Sequence, residues 1–364
     1  MATYKSIKYI IPTEAVEHTD SINALADVDT TTVAPSVGQT LKWSAANSRW
    51  QPADIEEAVP TGTQKALFGF GTPDLFDYYS RTNLVSSTGV VATDTTGVGT
   101  ARYGLAASGY GGDKAIFGFG THGTDPYATN ITNLVSSSGV VATDTTGVGT
   151  IRSDLAAASY DGDKAIFGFG HFSNNGTLYN MTNLVSNVGV VATDTTGVGT
   201  ARNELAAVSY GEDKAIFGFG SISGSPFVVS TTNLVSNTGV VSSDVTGVGT
   251  GATKLAAASY DSDKAIFAFG YEGSTSKSNL VSNTGVVATD TTIAGTHRPS
   301  LAAAGYGGDK AIFGFGSHEP GFNYEGLNMT NLVSNTGVVA SDTTNASGVT
   351  ARFGLAAAGY STTA

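Results

Sequence analysis

The amino-acid sequence predicts an all-β protein, built as a six-bladed β-propeller that follows a small β-rich N-terminal segment. Three observations support this prediction. The phrase DKAIFGFG or a close variant occurs six times at nearly constant spacing. Three further strand-like runs accompany each copy, and the two ends of the repeat region hold complementary parts of one unit. We therefore divide the chain into residues 1–60 and residues 61–364.

The first 60 residues contain no copy of the repeat and hold both tryptophans of the chain. The runs QTLKW and SRWQP, separated by the short polar stretch 45–47, predict a β-hairpin. Trp43 and Trp50 would either pack on each other in a very small core or dock onto another protein. A segment of this size buries little apolar surface by itself, so stability gained from a partner is expected.

Each repeat contains four strand-like runs, which in the copy that follows Arg152 are LAAASY, KAIFGFG, TNLVS and GVVATDT. These runs lack proline and are bounded by Gly, Asn, Asp and Ser, as expected for short antiparallel strands joined by tight turns. Four such strands in about 50 residues are typical of one propeller blade. The lysine of the second run marks the period, at Lys65, Lys114, Lys164, Lys214, Lys264 and Lys310.

The second run suggests how neighbouring blades would pack. Strict alternation would place Phe117 and Phe119 on one face of the strand and Gly118 on the other. Both faces of a blade are covered by neighbours, so a phenylalanine of one blade would enter the space left by a glycine of the next. The LAAA run would form the innermost strand, where only small side chains fit.

The phase of the repeat predicts how the chain closes. The unit that begins at Lys65 lacks an LAAA run, whereas the chain ends with such a run at residues 355–360 and no second strand follows it. The C-terminal run should therefore complete the first blade and close the ring, which removes free sheet edges. The alternative is an open solenoid, in which these complementary ends would have no explanation.

Composition excludes several classes of function. The net charge of −12 disfavours nucleic acid binding, which needs a basic surface. The absence of cysteine excludes disulfides and thiolate metal sites. No apolar run is long enough to cross a bilayer, and the N-terminus lacks the pattern of a signal peptide. The histidines show no metal-ligand spacing, so neither a metal nor a cofactor is predicted.

The copies differ mainly between their second and third strands, and these stretches should form loops at one end of the blades. The loops are rich in aromatic residues, which stack on sugar rings and dominate many binding surfaces. The alternative is sequence drift after duplication, with the aromatics folded back over the blades. The candidate ligand-binding residues in the loops are Tyr78, Tyr79, Tyr127, His171, Phe172, Tyr179, Phe227, Tyr271, His318, Phe322 and Tyr324.

An arginine precedes the LAAA run in five copies, and Ala252 stands in its place in the fifth copy. One interpretation is structural, with each arginine bridging two blades through backbone carbonyls. The other adds the arginines to the candidate ligand-binding face, as a ring that would meet an acidic polysaccharide. The residues are Arg102, Arg152, Arg202, Arg298 and Arg352.

Two resemblances guide the expected function. The repeat resembles a kelch-type unit, although the kelch tryptophan is absent and F-G-x-G replaces the usual double glycine. The N-terminal segment is similar to a short module of phage tail fibres and related virion appendages. The residues that carry this second resemblance are Leu25, Asp27, Val28, Asp29, Pro35, Gly38, Gln39, Leu41, Trp43, Trp50 and Pro52.

The second resemblance implies a bacteriophage virion protein, a tail fibre or tail-tip appendage made in the host cytoplasm and present as a homo-oligomer or in several copies in the virion. Residues 1–60 would bind other virion proteins through Trp43 and Trp50, and the propeller loops would bind a host-surface glycan or protein. A purely structural decoration of tail or head is the first alternative, and a polysaccharide-degrading enzyme is the second. No catalytic set of residues recurs in the loops, so we expect no enzymatic activity.

Overall fold

The computed structural model describes residues 28, 39–44, 48–54, 63–74, 76–271, 276–318 and 325–363. These residues form strands, turns and bends without a helix, which confirms the all-β prediction. None of the described residues therefore belongs to a helix able to cross a membrane. Residue contacts separate two compact units, Met1–Val59 and Pro60–Ala364.

The N-terminal unit contains the predicted hairpin. Strands β1 (Gln39–Ser44) and β2 (Arg49–Asp54) pair in antiparallel register. Trp43 lies opposite Trp50, and their rings meet edge to face with centroids 5.7 Å apart. The side chains keep 47 % and 36 % of their surface exposed, so this cross-strand pair stabilises the hairpin and still presents an aromatic surface. The connecting turn and most of the residues before Gln39 lie outside the described residues.

The described residues of the second unit form six antiparallel sheets and, in the loops, two short hairpins. Its strands are β3 (Lys65–Gly69), β4 (Thr82–Val85), β5 (Ala106–Tyr110), β6 (Lys114–Gly118), β7 (Thr132–Val135), β8 (Ala156–Tyr160), β9 (Lys164–Gly168), β10 (His171–Phe172), β11 (Thr177–Leu178), β12 (Thr182–Val185), β13 (Ala206–Tyr210), β14 (Lys214–Gly218), β15 (Thr232–Val235), β16 (Ala256–Tyr260), β17 (Lys264–Ala268), β18 (Lys277–Val281), β19 (Thr291–Thr292), β20 (Ala302–Tyr306), β21 (Lys310–Gly314), β22 (Ser317–His318), β23 (Glu325–Gly326), β24 (Met329–Val333), β25 (Thr343–Thr344) and β26 (Ala356–Tyr360).

We number the sheets 1 to 6, with strand orders β26-β3-β4, β5-β6-β7, β8-β9-β12, β13-β14-β15, β16-β17-β18-β19 and β20-β21-β24-β25. Sheet 1 is assembled from both ends of the unit, since Ala356 pairs with Gly69 and Tyr360 pairs with Lys65. Strands β5 and β6 of sheet 2 pair in the equivalent register. The predicted pairing of the C-terminal strand with the first repeat is therefore confirmed.

The predicted fourth strand is largely irregular. In sheet 1 it makes only two isolated bridges to the third strand, Thr82 to Thr95 and Val85 to Val91. Three residues of the fourth run lie between these bridges against two residues of β4, which is a β-bulge. The side-chain amide of Asn83 donates to the Ala92 carbonyl at 2.9 Å, so a side chain replaces ladder hydrogen bonds there. Only sheets 5 and 6 contain a two-residue fourth strand, β19 and β25.

The alternation predicted for the second strand is wrong at its end. Phe117 packs beside Leu67 towards sheet 1, whereas Phe119 packs beside Phe167 towards sheet 3. The cause is the backbone of Phe119, which has φ of 64° and ends the strand in the left-handed region. The equivalent residues share this conformation, and they are Phe70, Phe169, Phe219, Phe269 and Phe315.

The predicted packing of phenylalanine against glycine is confirmed. A Cβ atom on Gly118 would lie 2.8 Å from Cζ of Phe167, so only hydrogen leaves room for the ring of the next sheet. In the fifth copy Ala268 occupies the glycine position and packs in one cluster with Phe313. The other contacts of this type are Gly69 with Phe117, Gly168 with Phe217, Gly218 with Phe267 and Gly314 with Phe68.

Two series of backbone hydrogen bonds connect the six repeats. At the turns after the first strands, the donors and acceptors are Gly111 to Asp163, Asp161 to Asp213, Gly211 to Asp263, Asp261 to Asp309, Gly307 to Gln64 and Ser361 to Asp113. At the other end, the residues just before the LAAA runs form a second series, which we call the linker ring. Its bonds are Asp154 to Gly104, Glu204 to Asp154, Lys254 to Glu204, Ser300 to Lys254, Gly354 to Ser300 and Gly104 to Gly354.

Removal of residues 355–364 should destroy the cooperative unfolding transition of the repeat unit. The truncation exposes the edge of β3 and uncovers the apolar side chains that β26 covers, and both changes favour aggregation. Thermal unfolding and size-exclusion chromatography measure the effect.

Removal of residues 362–364 is the matched control, since it retains β26 and the hydrogen bond from Ser361 to Asp113. A longer truncation that melts at the same temperature as this control would contradict the role of β26.

Candidate binding face

The variable loops and the linkers that connect one repeat to the next lie at the same end of the sheets. Tyr103 of one linker forms an antiparallel bridge with Thr121, the third residue after the second strand of sheet 2. Equivalent bridges join Thr72 to Phe353, Ser153 to His171, Asn203 to Ser221 and Thr253 to Tyr271. We call this end, with its six loops, the loop face.

Four aromatic side chains are exposed in the described part of the loop face. Phe76 and Phe227 are the most exposed, at 87 % and 66 %, and Tyr127 and Tyr271 are nearly half exposed. They come from the loops of four different sheets. Single exposed apolar residues are common on protein surfaces, but four aromatics on loops of one end form a candidate contact surface.

Other predicted aromatics make contacts within the protein. Tyr78 stacks on Tyr103 with ring centroids 5.4 Å apart and planes 10° apart. Tyr79 lies under the guanidinium of Arg81, 4.4 Å from ring centroid to Cζ. Phe172 and Tyr179 are half-buried, so these four side chains shape the loops more than they extend from them. His318 is exposed, and Phe322 and Tyr324 lie outside the described residues.

His171 belongs to a charged cluster that the comparison of the six repeat copies did not predict. Its Nδ1 lies 3.5 Å from a carboxylate oxygen of Asp154, and Lys254 Nζ lies 3.7 Å from Glu204 Oε1. Asp154, Glu204 and Lys254 are consecutive members of the linker ring and all have positive φ. The other members are Gly104, Ser300 and Gly354, so charge is concentrated on one side of the ring.

Burial shifts the pKa values of the two acids in this cluster. It raises the pKa of Asp154, and electrostatic interactions with His171 and Lys254 oppose this rise. Burial also raises the pKa of Glu204, and the charge of Asp154 adds to the rise. Burial raises the pKa of Tyr103 to about 12, again with a contribution from Asp154. The charged cluster could have been predicted from the residue before each LAAA leucine. This residue changes from Gly to Asp, Glu, Lys and Ser among the copies.

The five arginines are not part of the exposed face, and the interpretation as an anion-binding ring does not fit their burial. Each has no exposed surface. Arg102 donates from Nε to the Phe119 carbonyl at 2.8 Å and from Nη2 to Asn133 Oδ1 at 2.7 Å. Its guanidinium also stacks on Phe70 of sheet 1, 4.2 Å from the ring centroid. The arginines therefore bridge neighbouring sheets, which is the structural alternative.

A buried asparagine and an aspartate complete each arginine site. The amide nitrogen of Asn133 donates to the Ala142 carbonyl at 3.0 Å and to Asp144 Oδ1 at 2.9 Å. Asp144 also accepts from the backbone and hydroxyl of Thr100 in the linker. Burial lowers the pKa of Arg102 to about 10, and Asp144 partly offsets this change, so the guanidinium remains charged at neutral pH.

No group of three or more histidine and carboxylate side chains suited to a metal ion occurs among the described residues. The described part of the loop face combines exposed aromatics, an off-centre charged cluster and a base held by buried arginines, which are features of a candidate contact surface.

Replacing a buried arginine should destabilise the fold strongly. Arg152→Ala leaves the Phe169 carbonyl and Asn183 Oδ1 without their donor, and loss of one partner in a buried charged network costs about 3–5 kcal/mol. Urea unfolding measures the loss.

Arg81→Ala is the control, because the Arg81 side chain is 42 % exposed and its bonds to Asp94 and Thr350 are only partly buried. It should cost about 1 kcal/mol or less. Equal losses in the two variants would refute the role assigned to the buried arginines.

Stability should fall in acid through the aspartates that hold the linkers. Desolvation raises the pKa of Asp290, but hydrogen bonds from Thr250, Asn279 and Lys277 outweigh it, and the net pKa is about 2 instead of 3.8. A lowered pKa in the folded state stabilises the protein above pH 3.8, and this contribution disappears as the pH falls towards 2. The pKa is lowered in the same way at Asp94, Asp144, Asp194, Asp244 and Asp342.

The urea midpoint of the wild-type protein should therefore decrease between pH 5 and pH 2, roughly the window between the two pKa values. In Asp290→Asn the decrease should be smaller, because this group no longer titrates. An identical decrease in both proteins would contradict the assignment.

Comparison of the chain with models of protein families gave no match, and no curated protein is similar to it.

Proposed function

We propose that the repeat unit is a closed six-bladed β-propeller. Three features support this proposal: the pairing of β26 with β3, the contact of Gly314 with Phe68, and the two series of hydrogen bonds that return from the sixth repeat to the first. An open solenoid would leave free edges at its first and last repeats, where these contacts are made.

In this proposal the protein is a bacteriophage virion appendage, a tail fibre or tail-tip protein, whose loop face binds the host surface. The observation that carries the proposal is the contrast between six nearly identical sheets and six different loops at one end. Binding residues are commonly placed on loops that a rigid scaffold holds in position.

The ligand that fits the loop face best is a neutral glycan. Phe76, Tyr127, Phe227 and Tyr271 provide exposed rings, and the apolar faces of sugars stack on such rings. The arginines are buried and the net charge is −12, so little supports a strongly anionic ligand. The proposed function is binding without catalysis.

Attachment to the particle is assigned to the N-terminal unit. The exposed pair of Trp43 and Trp50 offers an aromatic surface, and residues 1–60 resemble the short module of tail fibres. Trp is enriched at the centre of protein interfaces. The partners would be other virion proteins, with several copies of this chain in each particle.

A structural decoration of the virion is the second candidate function, because the turns opposite the loop face carry an identical exposed residue in every copy. These are Val90, Val140, Val190, Val240, Val286 and Val338, each about two-thirds exposed. A set of equivalent apolar contacts suits a neighbouring protein of the particle rather than a varied host ligand.

The variant Phe76→Ala/Tyr127→Ala/Phe227→Ala tests the first proposal. If the loop face binds a glycan, adsorption to host cells and binding to isolated host glycan should fall about tenfold or more, since a hot-spot residue contributes more than 1 kcal/mol.

Val140→Ser/Val240→Ser/Val338→Ser is the matched control at the opposite turns and should leave adsorption unchanged. Loss of assembly in the valine variant with full adsorption in the aromatic variant would overturn the first proposal in favour of the second.

A further inference from the structure

The fifth repeat lacks the arginine that the other five repeats bury, and a cavity lies in its place. Ala252 occupies the arginine position. The cavity of about 20 Å³ is lined by Ala252 and by the groups that surround the arginines elsewhere, among them Phe219, Thr250, Phe269 and Asn279.

The fourth repeat shows how such a site holds a guanidinium. Arg202 lies with Cζ 4.3 Å from the centroid of Phe169, and its Nε donates to the Phe219 carbonyl at 2.8 Å. Nη1 donates to the Thr200 carbonyl at 3.2 Å, and Nη2 donates to Asn233 Oδ1 at 2.6 Å. The site therefore supplies one aromatic face and three acceptors in a planar arrangement, which matches the fork of a guanidinium.

The fifth repeat retains the equivalent aromatic face and acceptors. The amide nitrogen of Asn279 donates to the Ala288 carbonyl at 3.0 Å and to Asp290 Oδ1 at 2.9 Å, as the nitrogen of Asn233 does to Ser242 and Asp244. This orientation leaves Asn279 Oδ1 as the acceptor that faces the cavity. The phenyl ring of Phe219 corresponds to the stacking ring of Phe169, and the carbonyls of Thr250 and Phe269 correspond to the remaining acceptors.

The cavity is open to solvent. Phe269 and Asn279 are each 5 % exposed, whereas their equivalents in sheet 4, Phe219 and Asn233, are at 1 % and 0 %. Solvent therefore contacts two of the lining residues in the folded protein.

Lys277 does not replace the missing arginine. Its Nζ donates to Thr250 Oγ1 at 2.8 Å and lies 3.2 Å from Asp290 Oδ2. In sheet 1 the equivalent residue, Arg81, makes the same two contacts with Thr350 and Asp94, and the buried Arg352 is present as well. An outer cation and an inner guanidinium are therefore compatible in one site.

We propose that the cavity at Ala252 is a binding site for a guanidinium group, carried either by a small alkylguanidinium or by an arginine side chain of another chain. Binding places the guanidinium over Phe219 and supplies donors to Asn279 Oδ1 and to the carbonyls of Thr250 and Phe269. Asp290 supplies the nearby negative charge, as the equivalent aspartates do beside the buried arginines.

The test is thermal unfolding of the wild-type protein with ethylguanidinium, which supplies the six atoms that arginine has beyond Cβ. At a concentration well above the dissociation constant, the melting temperature should rise by about 2–4 °C. Ethylammonium carries the same charge without the planar fork and should give no rise. An equal rise with ethylammonium would overturn the proposal.

Ala252→Arg is the matched control, because its own side chain fills the site. It should melt at a higher temperature than the wild type, and ethylguanidinium should give no further rise. The general denaturing effect of guanidinium acts on both proteins, so the difference between them reports the site. Equal responses in the two proteins would refute the site.

Two measurements keep the proposal testable if Ala252→Arg does not fold. Asn279→Leu removes an acceptor and should abolish the response to ethylguanidinium. Isothermal titration calorimetry of the wild type with ethylguanidinium should give one binding site per chain. Weak binding of several ethylguanidinium molecules per chain without saturation would overturn the proposal.

A peptide with a single central arginine distinguishes the two sources of the ligand. If it competes with ethylguanidinium, the site accepts an arginine of another chain. If ethylguanidinium binds and the peptide does not compete, the site takes the free small molecule. Absence of binding by both probes would overturn the proposal.

Discussion

The contact on which this structure depends is the insertion of a phenylalanine from one sheet into the space above a glycine of the preceding sheet. A three-stranded sheet with apolar residues on both faces cannot bury them by itself, so each sheet needs a neighbour on either side. The Gly118 and Phe167 pair leaves no room for a β-carbon. This is the physical reason for the almost unchanged second strand, since a residue larger than alanine at the glycine position would separate two sheets.

The buried arginines add a polar layer to this apolar contact. A charged group without exposed surface is costly unless every donor is matched, and each arginine meets carbonyls, an asparagine and an aromatic ring. The asparagine of the third strand is in turn held by the bulge of the fourth run. One interaction network thereby connects the linker, the bulge and the neighbouring sheet. The fifth repeat tolerates the loss of its arginine because the phenylalanine contacts on both sides remain.

The loops are not constrained by the packing of phenylalanine on glycine or by the buried arginine network. They begin after the left-handed phenylalanine, beyond the last packed residue of the second strand, and they need only a bridge to the adjacent linker. Their sequences can therefore differ without disturbing the sheets, and the proposed binding function uses this freedom. The linker ring shows the same separation on a smaller scale, because its backbone bonds are alike in all repeats while the side chains change from glycine to aspartate, glutamate, lysine and serine.

The sequence by itself determined the all-β class, the N-terminal hairpin, the approximate positions of the three regular strands in each repeat, and the pairing of the C-terminal run at 355–360 with the first repeat. These follow from local alternation, turn residues and the phase of the repeat, which require no knowledge of neighbouring sheets. It also predicted the contact of phenylalanine with glycine from the size of the two side chains.

Only the tertiary structure decided the rest. Alternation misplaced Phe119, because a positive φ at that residue reverses the face to which its side chain points. The exposed or buried state of the arginines could not be read from their spacing, since the aromatic ring that covers Arg102 belongs to the preceding sheet. The cluster of His171, Asp154, Glu204 and Lys254 combines residues from three repeats. Such features depend on distances between segments far apart in the chain, and these distances exist only once the sheets have packed.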